Sequence, residues 1–102
     1  MGLRNIRSAA IAALRDGRVE MVQRGDIDTK NLLATGKVSE AEVIRLLGCC
    51  KVQEYRTTPH DDDASIAVHI FKPIGVAGGL PSRRWYIKFY FVEPNVVFMS
   101  VH

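Results

Sequence analysis

The chain reads as an α+β fold, with N-terminal helices packed on one face of a C-terminal antiparallel β-sheet meander. Apolar residues recur at helical spacing as far as Gly48, and from Lys51 onward they alternate with period two. The strand-like runs follow one another with only polar or glycine-rich links between them, which is how a meander is written. A chain of 102 residues has room for one modest core, so residues 1–102 are expected to form a single domain.

Leu3, Ile6, Ala10, Ala13 and Leu14 place one apolar stripe on a first helix over about 3–16, with Gly17 as its stop. RVEMV (18–22) alternates polar and apolar residues and is a candidate short strand. Asp26 or Asp28 caps a second helix, about 28–35, that carries Leu32 and Leu33 and ends at Gly36. Ser39 and Glu42 form a capping box for a third helix, about 39–48, with Val43, Leu46 and Leu47 as its buried stripe. Four strands follow, at about 51–57, 65–72, 84–92 and 95–101, linked by TPHDDDA, the glycine-rich PIGVAGGLPS and the tight EPN.

The pairing of the last two strands decides what the sheet presents to solvent. In the first of them Trp85, Ile87, Phe89 and Phe91 share one face, and Tyr86, Lys88 and Tyr90 the other. A three-residue loop of Glu93, Pro94 and Asn95 pairs Phe91 with Val97, Phe89 with Met99 and Ile87 with Val101, which makes one face wholly apolar. A two-residue Pro94-Asn95 loop would instead set His102 and Ser100 among the aromatics, at a desolvation cost. The preferred register sets Lys88 opposite Ser100 and Tyr86 opposite His102, on the face away from the helices. If the second strand buries Ile66, Val68 and Ile70, then His69, Ala67 and Phe71 join that open face. Burying Tyr55 turns Arg56 outward as well. The open face is thus expected to gather Arg56, His69, Tyr86, Lys88 and His102, with Phe71, Tyr90 and Phe98 among them.

Charged residues make up 25% of the chain and apolar ones 47%, which excludes a disordered or fibrous protein. The formal charge of +3 favours polyanions weakly. No stretch is apolar and long enough to span a bilayer, and MGLRNIRSAA lacks the apolar centre of a signal peptide, so a cytoplasmic protein is expected. Cys49 and Cys50 are neighbours, a poor arrangement for a structural disulfide or, alone, for zinc, and they are read as reduced thiols. The HDDD run (60–63) reads as a solvated turn rather than a metal site.

The segments IAALRDGRV, EYR, IAVHIFKP and WYIKFYFVEPNVVFMSVH together resemble the MqsR (motility quorum-sensing regulator) family of bacterial toxins, which are RelE-like ribonucleases of type II toxin–antitoxin modules. The resemblance spans roughly residues 6–102. It implies a metal-independent endoribonuclease, an mRNA interferase needing no cofactor, with mRNA as substrate and a cognate antitoxin protein as partner. Residue by residue, it carries a catalytic set onto Arg56, Tyr86 and His102. Val68 stands where the family has a glutamine, with His69 beside it, and the glycine loop at 75–80 is longer than the family's. Lys72 of the Phe-Lys-Pro tripeptide, with His69 and Lys88, is the expected substrate-binding set.

The residue types suit that chemistry. A base takes the proton of a ribose 2′-OH, that oxygen attacks the adjacent phosphorus, an acid protonates the leaving 5′ oxygen, and cations hold the added negative charge. Histidine serves as base or acid near neutrality, arginine grips phosphate bidentately, lysine acts as a point charge, and aromatic rings stack on unpaired bases. The competing expectations are an RNA- or protein-binding regulatory module of the same α+β fold that cuts nothing, and a protein-interaction domain whose open face is buried in an oligomer.

Overall fold

The computed structural model describes residues 2–22 and 25–102 and is α+β. Helix α1 (Leu3–Asp16) buries Ile6, Ala10, Ala13 and Leu14. It ends at Gly17, whose φ of 72° belongs to the left-handed region that favours glycine. From there the N–H groups of Gly17 and Arg18 donate back to the carbonyls of Leu14 (3.3 Å) and Ala13 (2.9 Å), satisfying two orphan acceptors of the last turn. Helix α3 (Glu40–Cys49) begins with the expected capping box: Glu42 N–H donates to Ser39 Oγ at 3.1 Å, and Ser39 N–H to Glu42 Oε1 at 3.0 Å. The other carboxylate oxygen of Glu42 accepts the N–H of Gly78 at 2.8 Å. These bonds hold the Glu42 carboxyl below its ordinary pKa, those from the backbone of Ser39 and Gly78 counting most.

Helix α2 (Ile27–Lys30) is shorter than the 28–35 expected, and Asp26 stands at its N-terminus without a side-chain cap bond. Leu32 and Leu33 are buried from turns rather than from a helix. The sheet edge is the reason. Strand β1 (Val19–Met21) runs parallel to β7 (Asn95–Val101) only as far as Phe98, and the chain then returns to β7 at Asn31, which bridges to Val101. Leu32 N–H donates to Val101 O at 2.7 Å, and the buried Asn31 amide donates at 3.2 Å to Phe98 O, which also accepts Val22 N–H at 2.9 Å.

The sheet is mixed, in the order β1-β7-β6 (Ile87–Val92)-β3 (Ala67–Phe71)-β2 (Tyr55–Pro59), not the purely antiparallel meander expected, because RVEMV joins its edge in parallel. Strand β2 (Tyr55–Pro59) starts later than Lys51, after one 3-10 turn at Val52–Glu54, and β3 spans Ala67–Phe71. The 84–92 run is divided: β5 (Arg83–Arg84) pairs with β4 (Ile74–Gly75) as a separate ribbon, and β6 (Ile87–Val92) joins the main sheet. Trp85, fully buried at the division, donates its indole N–H to Gly75 O at 3.0 Å. That ribbon folds onto α3 closely enough that a Cβ on Gly75 would lie 2.8 Å from Leu46 Cδ2.

Two register expectations are corrected. Strands β6 and β7 turn through Glu93–Pro94, with Val92 opposite Asn95, Phe91 opposite Val96 and Phe89 opposite Phe98. A β-bulge at Met99 then adds a residue to β7, after which Lys88 faces Ser100 and Ile87 faces Val101 as expected. Val96, Phe98 and Val101 therefore join the core, leaving Val97 and Met99 outside the main core cluster. In β3 the faces are reversed. Phe71 and His69 lie on the helix side opposite Ile87 and Phe89, and Val68 and Ile70 lie on the open side. The stacking of Phe71 on Phe89, with ring centroids 5.4 Å apart, places the larger aromatic surface in the core.

Candidate functional site

The open face is organised in rungs. Tyr86 and His102 form the first, each donating its backbone N–H to the other's carbonyl, at 2.7 Å and 3.1 Å. Their rings stack with centroids 5.3 Å apart and planes inclined by 22°. Lys72 Nζ lies 5.7 Å from the Tyr86 ring centroid, near enough for a cation–π attraction. The next rung crosses four strands as Arg56, Ile70, Lys88 and Ser100. Two strand spacings, roughly 9.6 Å, separate the Arg56 and Lys88 backbones, a distance long side chains can close around a phosphate.

At the β7 side these residues border a cavity of about 220 Å³. Tyr86, Lys88, Ser100 and His102 form its sheet wall, and Asp26, Lys30 and Asn31 line it from α2 and the bridge that follows. The cavity exists because β1 leaves the edge of β7 at Phe98 and the chain returns only at Asn31, opposite the Met99 bulge. His102 is half-buried there. Burial lowers its pKa below the ordinary imidazole value, and the positive charges of Lys30 and Arg83 push the same way against the weaker pull of Asp26. Burial and these cations favour the neutral imidazole.

Of the six residues singled out from sequence, Tyr86, His102, Lys88, Lys72 and Arg56 share this face. His69 does not. It is 6% exposed on the helix side, its Nδ1 lies 2.9 Å from the Tyr55 hydroxyl, and its ring packs against Phe89 and Phe91. Burial lowers its pKa too. Phe71 and Phe98, expected on the open face, are fully buried in the core. Sequence reading missed Asp26, Lys30 and Asn31, because only the return of the chain to β7 brings them near His102. It also missed His60, which meets Tyr90 while Asp61, Asp62 and Asp63 stay exposed in the expected solvated turn.

Among the described residues, no three His, Cys, Asp or Glu side chains form a group that could hold a metal ion. Among them, too, no helix is long and apolar enough to cross a membrane. No family model matches the chain, and neither a curated protein nor a solved structure matches it.

Proposed function

We propose that the open face is the active site of a metal-independent endoribonuclease that cuts mRNA by attack of an internal 2′-OH, acting in the cytoplasm as the toxin of a type II toxin–antitoxin pair. The observation that carries it is the stacked Tyr86–His102 pair beside a cavity, with Lys72 and Lys88 on the same face. Neutral His102 accepts the proton of the 2′-OH, whose oxygen forms a new bond to phosphorus. The P–O5′ bond breaks, and the Tyr86 hydroxyl protonates the leaving oxygen. Lys88 and Arg56 hold the extra negative charge, with Lys72 beside the tyrosine as a further cation. The resemblance to MqsR toxins supports the biological half of the reading, in which a cognate antitoxin silences the enzyme by covering this face.

Incubation with end-labelled RNA in EDTA tests the chemistry. Cleavage should persist and leave a 2′,3′-cyclic phosphate or 3′-phosphate, whereas 3′-OH ends rule out attack by the internal hydroxyl. RNA bound but never cut would make the protein a binding module instead. Expression without an antitoxin should arrest growth, and normal growth with folded protein accumulating would overturn the toxin role.

A further inference from the structure

Farther along β6 the open face carries a second aromatic pair, which the cleavage chemistry does not use. His60 meets the Tyr90 ring edge-on, with centroids 4.9 Å apart and planes at 80°. Both side chains are half-exposed. The backbone N–H of Asp62 donates to His60 Nδ1 at 3.0 Å, which fixes the ring. Tyr90 follows Tyr86 by four residues, and Lys88 lies midway on the same face with Arg56 on its rung. Along an extended strand that separation is ~13 Å.

Charge divides this track. The cations Arg56, Lys72 and Lys88 stand at its middle and at the His102 end. At the far end His60 is followed by Asp61, Asp62 and Asp63, the last accepting from Ser65 N–H at 3.0 Å and from its hydroxyl at 2.6 Å. Carboxylates repel a phosphate, so what settles there is the uncharged part of a nucleotide. Spacing selects the form of the strand. Stacked bases lie only ~3.4 Å apart along a strand, so only an unstacked, extended chain can place a phosphate at the Tyr86–His102 pair and a nearby base at Tyr90.

We infer that the His60–Tyr90 pair is a nucleobase platform, taking a base of single-stranded RNA beyond the scissile phosphate that Lys88 and Arg56 hold. The platform rests on the RNA reading above and adds to it a demand for length and for an unpaired strand. Aromatic stacking tolerates any base, so the platform supplies affinity rather than sequence preference.

The test is equilibrium binding of 2′-O-methyl oligonucleotides, which lack the nucleophile and cannot be cut, followed by fluorescence anisotropy. Wild-type protein should bind a tetranucleotide ~10-fold or more tightly than a dinucleotide, the scale of one stacked base. Tyr90→Leu, which keeps an apolar side chain of strand length, should erase that gain and leave dinucleotide affinity unchanged. His60→Ala should reduce it. On wild-type protein, a tetranucleotide with an abasic site at the platform position should bind like the dinucleotide, which tests the idea even if Tyr90→Leu fails to fold. A gain from length that survives both Tyr90→Leu and the abasic site overturns the platform, as does no gain in wild type. Binding with the expected gain but no cleavage of unmodified RNA leaves the platform standing and removes the catalysis. No binding at any length removes both.

Discussion

Two of the three Tyr–His pairs on the sheet lie on opposite faces, and their surroundings differ. On the helix side Tyr55 and His69 are joined by a 2.9 Å side-chain hydrogen bond, walled by Phe89 and Phe91, with His69 almost sealed from solvent. On the open side Tyr86 and His102 stack without such a bond, border a cavity, and have Lys30, Lys72 and Lys88 around them. Burial lowers the histidine pKa in both. A depressed imidazole pKa is therefore no mark of a site. The Tyr55–His69 pair borders a cavity too, of about 580 Å³, so what separates the pairs is the cations: one histidine satisfies a neighbour, and the other stands among lysines where an anion can arrive.

The strongest way to break this comparison is to remove each histidine in turn. His102→Ala should lower single-turnover cleavage ~10²- to 10⁴-fold, the usual worth of a general base. His69→Phe should leave the rate unchanged. Full activity in folded His102→Ala, or its loss in folded His69→Phe, reverses the assignment. Phe89→Ala should cost ~3 to 5 kcal/mol in a urea melt as a large-to-small core change, because that ring touches Phe71, His69, Phe91 and Phe98. His69→Phe should cost far less, about 1 kcal/mol for the lost hydrogen bond to Tyr55.

Acid sharpens the contrast with the smallest effect. Both folded-state pKa values lie below the ordinary imidazole value, so the unfolded chain binds more protons as pH falls through that value. Stability is full above it and is lost as pH drops toward the folded values. His69→Phe should flatten part of that loss in melts at graded pH. Cleavage should fall in the same acidic range as His102 becomes protonated, in wild type and His69→Phe alike. An acid profile of activity that vanishes in His69→Phe would tie the rate to the wrong imidazole.

Legibility in the sequence followed locality. Helices α1 and α3 were readable because Gly17 and the Ser39–Glu42 box act within one turn of themselves. The facing of Tyr86 and His102 was readable because Ile87 and Val101 demand burial together at that end of the hairpin. The turn end was not. VVFMSV offers apolar residues in both phases, so nothing local announces that Phe98 rather than Met99 lies opposite Phe89. Strand β3 misled for the same reason, since Val68 and Ile70 are as buried on the open side as His69 and Phe71 are on the other. Long-range closure hid α2, whose place beside His102 depends on Asn31 finding an edge of β7 far away in the chain.

The extra residue at Met99 has a consequence for how such a chain can change over generations. It divides the hairpin into two halves of opposite phase, one governed by the turn and the other by the Ile87–Val101 rung. A one-residue insertion or deletion between Phe91 and Val97 can be absorbed by shifting or erasing the bulge, while Tyr86 and His102 stay opposed. Relatives aligned without a gap would then seem to have lost their histidine when they had only moved it by one letter.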